Sequence, residues 1–350
     1  MRSAIQSSLL RWFDREQRTM PWRGTKDPYR IWLSEVMLQQ TRVETVKRYW
    51  DRFLACFPTV TALAAAPEQA VLKAWEGLGY YRRARNLHQA AKLVLSQHAG
   101  EVPSDEASFR ALPGVGDYTA GAVLSIAFGF PLPAVDGNVV RVLCRLDDVH
   151  DDPARPQAAS RLRARAAALV DRRRPGDWTQ AVMELGATVC LPREPRCLLC
   201  PVAAHCEGRR AGTAATLPRK VPRRAPHEWR HACAVVRRAG RLLLVRRPEE
   251  GLLGGMWELP SGDIAGEPLE RAVPRLLEQT TGLVAAYDRE LGRVDHAFTH
   301  ARLTLAVCAV RAPRGRVRSN RAAWCGPGDL ARLPLSVVAR KTLDLVDAKG

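Results

Sequence analysis

The sequence predicts two domains of different class, an all-α half followed by a smaller α+β half. Three observations carry this. Apolar residues recur at helical spacing from Ile5 to about Leu191, and a stretch rich in Arg, Ala and Pro then interrupts the pattern between Glu207 and Arg230. Beyond it, short β-type apolar runs surround a single helical segment. With 350 residues, 46% of them hydrophobic, the chain has enough apolar material for two cores.

In the first half, Val43, Val46, Tyr49, Trp50 and Phe53 trace one helical face, and Pro58, Pro67, Gly100, Pro113 and Pro131 punctuate the segments. The interruption contains Pro218, Pro222 and Pro226 with little apolar periodicity, so 207–230 is expected to be a linker. In the second half, His231 to Val236 and Leu242 to Val245 flank Ala239-Gly240 as a hairpin would, Leu303 to Val310 forms another strand, and Pro268 to Gln279 has helical spacing. The expected domains are therefore 1–206 and 231–350.

The chain carries 54 Lys and Arg against 36 Asp and Glu, a formal charge of +18, which favours a polyanionic partner, nucleic acid first. Genomic base bias is the alternative source of so much arginine. No apolar run reaches the length of a membrane span; the one from Ala120 to Val135 is broken by Gly129, Pro131 and Pro133. Arg11, Asp14, Arg15, Glu16 and Arg18 stand where a secretory signal would need an apolar core, so a reducing cytoplasm is expected. Of nine cysteines, four fall within 190–206, which argues for a metal site over a disulfide framework.

Those four, Cys190, Cys197, Cys200 and Cys206, are spaced C-x6-C-x2-C-x5-C, so one short loop can present four thiolates to a common centre. Spacing alone leaves zinc and an iron-sulfur cluster both open. Arg193 and Arg196 lie in the same loop, either aimed at a phosphate backbone or simply solvated. Residues 112–122 read LPGVGDYTAGA, in which Gly114 and Gly116 permit a tight turn and the helix that follows offers free N–H groups to an anion. Glu35, set among Ile31, Trp32, Leu33, Val36, Met37 and Leu38, is either a buried carboxyl with a raised pKa, suited to general-acid work, or a salt-bridged residue at a helix edge. Asp136, after a Pro-broken loop and before an apolar helical run, is a candidate carboxylate for stabilising a cationic sugar, or an N-cap. Together the two carboxylates match what cleavage of a bond to an anomeric carbon requires.

Several motifs in order then carry a resemblance: SEVMLQQTRV from Ser34, WEGLGYYRRARNL from Trp75, LPGVGDYTAGA, VDGNVVRV from Val135, and MELGATVC from Met183 into the cysteines. The chain resembles the helix-hairpin-helix glycosylases of the endonuclease III superfamily, in their adenine-excising, MutY-type branch. The resemblance implies a monomer that flips adenine out of double-stranded DNA where it faces 8-oxoguanine or guanine. It implies Glu35 as the acid that protonates the adenine and Asp136 as stabiliser of the oxocarbenium-like sugar, with an abasic site as product. It also implies a 4Fe-4S cluster on the four cysteines.

By the same resemblance, Asn138 and Glu184 arrange sugar and adenine, Trp22 and Arg23 line the pocket, and Gln40 and Tyr80 enter the base stack. Tyr118 stands where strand-cleaving relatives carry a Lys, and Tyr has no amine for a Schiff base, so a glycosylase without an efficient lyase step is expected. GLLGGMWELPSG from Gly251, with the following helix and Thr281-Gly282, resembles the Nudix fold that this family uses to recognise 8-oxoguanine. Glu278 stands almost alone where a working Nudix hydrolase clusters carboxylates, which points to a binding module. Phe298, Thr299 and His300 match the loop that contacts the oxidised base, with Thr299 in place of an expected Ser. A related glycosylase acting on another base, a non-catalytic DNA-binding module and a nucleotide pyrophosphatase are the rival readings.

Overall fold

The computed structural model describes residues 2–219 and 225–349. Its helices run in chain order as α1 (Arg2–Glu16), α2 (Pro28–Leu38), α3 (Val43–Cys56), α4 (Val60–Ala65), α5 (Glu68–Ala74), α6 (Arg82–Gln97), α7 (Glu106–Arg110), α8 (Asp117–Phe128), α9 (Gly137–Leu146), α10 (Pro156–Leu169), α11 (Pro175–Thr188) and α12 (Glu207–Arg210). Strands β1 (His227–Val235), β2 (Arg237–Arg238), β3 (Arg241–Arg246), β4 (Trp257–Glu258) and β5 (Ser261–Asp263) follow, then α13 (Leu269–Thr281), β6 (Val284–Ala297), β7 (Ala301–Arg314), β8 (Ala322–Cys325), α14 (Pro327–Arg332) and α15 (Val337–Lys349). No helix among the described residues is long and apolar enough to cross a membrane.

The chain divides into two units, Met1–Ala65 with Asn86–Pro222, and Ala66–Arg85 with Arg223–Gly350. By their contacts residues 66–85 group with Arg223–Gly350, which differs from the expected division into 1–206 and 231–350. The expected linker 207–230 lies partly outside the described residues, but 207–219 and 225–230 are structured. Its first part forms α12, Ala214 and Leu217 are buried, and β1 already begins at His227, before the expected His231. The signal missed there was Arg145 of α9, whose buried guanidinium donates from Nε to the Leu217 carbonyl at 2.9 Å. A buried cation must find acceptors, and backbone carbonyls of a loop without regular structure supply them.

Helix starts in the first unit follow the local sequence. Asp27 caps α2, its Oδ1 accepting from the Tyr29 N–H at 2.9 Å, while Pro28 occupies the first turn, where a missing N–H costs nothing. Helix α2 is then buried on nearly every side. Helix α8 ends at Gly129, at φ +77°, and the Phe130 N–H reaches back to the Leu124 carbonyl at 3.1 Å, closing the last turn. Helix α8 packs on both α2 and α11, and glycines allow its approach to the backbone at Pro133 and the approach of α11 to α9. A Cβ on Gly121 would lie 2.1 Å from the Pro133 carbonyl oxygen, and one on Gly186 of α11 would lie 2.7 Å from the Asn138 Cβ. A core of Leu9, Phe13, Leu143, Trp178 and Leu185 joins α1, α9 and α11, and Cys190, Cys200 and Cys206 pack against its edge.

In the second unit, a mixed sheet has the order β5-β1-β7-β6, with β1 and β7 parallel and the other pairs antiparallel. A second sheet runs β2-β3-β4, with β8 also paired to β3. The expected hairpin exists between β2 and β3, where Ala239 and Gly240 both take positive φ, but β1 goes to the other sheet. Leu242, Leu243, Leu244 and Val245 of β3 are all buried, because both faces of that strand are covered. Val273 and Leu277 of α13 pack with Ala234 and Leu243, and Leu343 and Val346 of α15 pack with Leu305 and Val307.

Gly121→Ala is expected to cost about 2–3 kcal/mol, since the rigid backbone at Pro133 must move to admit the methyl group. Chemical denaturation of the two proteins side by side checks this; equal midpoints would mean that the helix contact is looser than described.

Candidate active site

Glu35 sits in the interior of α2 with 5% of its surface exposed. Its Oε2 accepts a 2.6 Å hydrogen bond from the Tyr118 hydroxyl, on the first turn of α8. Burial pushes the Glu35 carboxyl up to about 7; the Tyr118 bond opposes this, the Asp136 charge adds to it, and the Arg23 charge opposes it. Tyr118 is itself held protonated, its hydroxyl raised well above the ordinary value by burial and by the Glu35 and Asp136 charges. The result is a carboxyl able to hold a proton near neutral pH and a phenol that points its own at that carboxyl.

Asp136 takes the N-cap position, one of the two readings the sequence left open. It caps α9, its Oδ1 accepting from the Val139 N–H at 2.7 Å, and its Oδ2 accepts from Asn138 Nδ2 at 2.9 Å. Asn138 is in turn held by Arg141 Nη2, which donates to its Oδ1 at 2.8 Å and to the Gly186 carbonyl at 2.7 Å, while Arg141 Nε donates to the Cys190 carbonyl at 2.8 Å. Capping fixes the carboxylate; it does not use up its acceptor capacity.

Glu184, 2% exposed, receives Arg18 Nε at 2.6 Å and Arg23 Nη2 at 3.0 Å. Burial alone would raise its carboxyl, but the Arg18 hydrogen bond, the Arg23 charge and the Arg18 backbone N–H together hold it below the ordinary value. Glu184 is thus an ionised anchor for two arginines, a different role from that of Glu35. Sequence reasoning missed Arg18, Arg141 and Arg145. The available signal for the last two was a pair of arginines four residues apart in the otherwise apolar run VVRVLCRL. Trp22 is buried, edge-on to Trp50 at 5.5 Å between ring centres.

A cleft of about 540 Å³ opens beside these groups, lined by Leu38, Gln40, Gly114, Gly116, Tyr118 and Asp136, among others. Gly114 has φ +80°, and a Cβ there would meet Asn86 at 2.8 Å, so glycine is required; Gly116 starts α8 with no side chain to cap its first N–H groups. Gln40 is exposed at the cleft with φ +55°, a left-handed backbone that costs a non-glycine residue about 1 kcal/mol or more.

Cys190, Cys197, Cys200 and Cys206 line one cavity together with Arg145, Val189 and Arg196. Among the described residues, no three His, Cys, Asp or Glu side chains converge closely enough to hold a single ion. The four thiols share one space, as ligands of a common centre would. Arg145 builds the loop by donating to the Leu191 carbonyl at 2.6 Å and the Pro192 carbonyl at 2.8 Å, with Nη1 3.4 Å from the Cys190 sulfur.

The remaining expected site residues lie in the second unit. Tyr80, 45% exposed and at φ +49°, shares a 2.7 Å hydroxyl–hydroxyl hydrogen bond with Thr299. Thr299 therefore keeps the hydroxyl that the expected Ser would supply, and that hydroxyl is engaged. Phe298 and His300 flank it and pack on Trp229, at 5.8 and 5.3 Å between ring centres. Glu278 is exposed on α13.

Residues 33–167 match the HhH-GPD superfamily of base excision DNA repair proteins, and residues 231–345 match the NUDIX domain. The human adenine DNA glycosylase is 39% identical over 364 residues, covering 87% of this chain and 66% of the human one, so the chain spans about two thirds of that relative. The adenine DNA glycosylase of Mycolicibacterium smegmatis is 42% identical over 62% of this chain and 74% of its own. Among solved structures, a thermostable thymine-DNA glycosylase superposes with a TM-score of 0.55 and 29% identity, covering 60% of this chain and 97% of that one. Endonuclease III, at 23% identity and a TM-score of 0.51, shows the same fold. Since the adenine DNA glycosylase of Schizosaccharomyces pombe is 31% identical across 96% of this chain and 88% of its own length, the chain belongs to the adenine DNA glycosylase family of the HhH-GPD superfamily.

Proposed function

We propose that this protein hydrolyses the bond between adenine and deoxyribose in double-stranded DNA where the adenine faces 8-oxoguanine or guanine, leaving an abasic site. The observation that carries this reading is the pairing of a buried carboxyl near pKa 7, Glu35, with a capped carboxylate, Asp136, that lines the cleft beside it. Family membership supplies adenine as the base.

Adenine is a poor leaving group until protonated, and Glu35 holds the proton that makes it one. Tyr118 keeps that carboxyl in place through its 2.6 Å bond. As the bond to the base breaks, positive charge grows on the sugar, and Asp136, fixed by Val139 and Asn138, is preorganised to meet it, by electrostatics or a transient ester, before water completes the reaction. Tyr118 offers no amine, so the strand is left intact. Gly114, Gly116 and the start of α8 bind phosphate, and the charge of +18 draws the protein to the duplex. Cys190, Cys197, Cys200 and Cys206 would hold a 4Fe-4S cluster, which would brace the loop that Arg141 and Arg145 tie to α9. Tyr80, Thr299, Phe298 and His300 form the reader of the opposite base.

An end-labelled duplex with one adenine opposite 8-oxoguanine is expected to break at that adenine only after hot alkali, while a thymine–guanine duplex stays whole. Breakage without alkali would refute the monofunctional assignment, and cutting of the thymine duplex would refute adenine as the substrate.

Glu35→Gln is expected to retain duplex binding and lose excision by at least ~100-fold, because an amide cannot deliver the proton. In the unmodified protein the single-turnover rate is expected to hold below pH 7 and to decline as pH rises through about 7, where Glu35 ionises. Full activity of Glu35→Gln, or a rate that stays flat to pH 9, would remove Glu35 from the mechanism.

A further inference from the structure

Residues 66–85 sit in the helical half of the sequence yet fold with the C-terminal domain. Specific polar contacts secure them within that unit. Gln69 accepts from the Trp257 indole N–H at 2.8 Å and donates to the Gly255 carbonyl at 3.1 Å. Lys73 donates to the Leu333 carbonyl at 3.1 Å and to Glu76 Oε2 at 2.8 Å. Arg340 of α15 donates from Nε to Glu76 Oε1 at 2.6 Å. The Glu76 side chain is only 16% exposed although that of Arg340 is 40% exposed, so the carboxylate end of the pair is shielded from water. Burial would raise the Glu76 carboxyl, but the Arg340 and Lys73 hydrogen bonds outweigh it and hold it below the ordinary value.

Glu76 begins the tight turn that ends at Tyr80. Gly77 and Gly79 take φ +97° and +72°, the Trp75 indole donates to the Gly79 carbonyl at 3.2 Å, and Gly77 N–H donates to the Tyr81 hydroxyl at 3.2 Å. At its far end Tyr80 holds a left-handed backbone and its hydrogen bond to Thr299. Such a backbone persists only where the surroundings over-determine it. The turn is thus held at both ends on one body, at Glu76 by Arg340, with Lys73 and the Leu335 N–H beside it, and at Tyr80 by Thr299.

We propose that Glu76 and Arg340 form a clasp that presets the Tyr80–Thr299 pair as a reader of the base opposite the adenine, so that they set discrimination between 8-oxoguanine and guanine without entering the excision chemistry. The proposal rests on the function argued above. Glu76 and Arg340 are positioning residues: neither Glu35 nor Asp136 belongs to their unit. Without the clasp the turn relaxes toward ordinary backbone angles, and Tyr80 reaches the duplex without a fixed partner.

The test compares single-turnover excision and duplex affinity for adenine opposite 8-oxoguanine and opposite guanine, using the full, cluster-loaded chain. Arg340→Ala is expected to lower the preference for 8-oxoguanine roughly tenfold, the effect of losing one hydrogen bond between charged groups, with an unchanged rate at saturating enzyme. Arg340→Lys, which keeps the charge, should recover most of the preference. Combining Arg340→Ala with Thr299→Val should lower it no further than either change alone, because both act through one contact. If Arg340→Ala melts below the assay temperature, Glu76→Gln, nearly identical in shape, should give the same loss. An unchanged preference, equal losses on both duplexes, or losses that simply add would overturn the clasp. Failure of the unsubstituted chain to cut either duplex would overturn the proposed function and the clasp with it, and is distinguished by that control alone.

Discussion

Keeping one carboxyl out of water is the constraint around which the first unit is arranged. Glu35 lies on a helix whose neighbours are apolar on nearly every side, and its burial shifts proton affinity from an ordinary 4.5 to about 7. Glu35 binds its proton more tightly folded than unfolded, so the native state holds more protons between those pH values, and stability falls as pH rises through that window. Complete ionisation in place would cost about 3 kcal/mol, a sizeable part of a domain's net stability. A fold that wanted only stability would put Leu there. The Tyr118 phenol, itself buried and protonated, limits the cost by donating to the carboxyl without ionising it.

Around that group, arginines embedded in helices carry the order outward. Asp136 is held by Asn138, Asn138 by Arg141, and Arg141 by the Cys190 carbonyl, so the carboxylate beside the cleft and the cysteine loop share one chain of hydrogen bonds. Glu184 gathers Arg18 and Arg23, and Arg23 reaches far enough to temper the Glu35 shift. Each buried cation is matched with carbonyls or a carboxylate, which is what permits charge inside an otherwise apolar helical core. Gly186, packed against Asn138, shows that even helix spacing is tuned to this network.

Much of this was legible in the sequence because it rests on local rules. The apolar ring around Glu35, the Pro-Gly turn before α8, the cap position of Asp136 and the four-cysteine spacing are short-range patterns, and each was read directly. What escaped depends on contacts far apart in sequence. Arg145 meets Leu217, which packs the first part of an apparent linker, and Glu76 meets Arg340, which ties 66–85 to α15. Neither pairing has a periodicity or a motif.

The central claim is that Glu35 keeps its proton near neutral pH through burial. An infrared titration of the carboxyl C=O stretch, taken as the difference between the unsubstituted protein and Glu35→Gln, reads that proton directly and without DNA. A midpoint of about 7 is the result this account predicts. A midpoint near 4.5, the ordinary glutamate value, would show a carboxyl in contact with water and would contradict it.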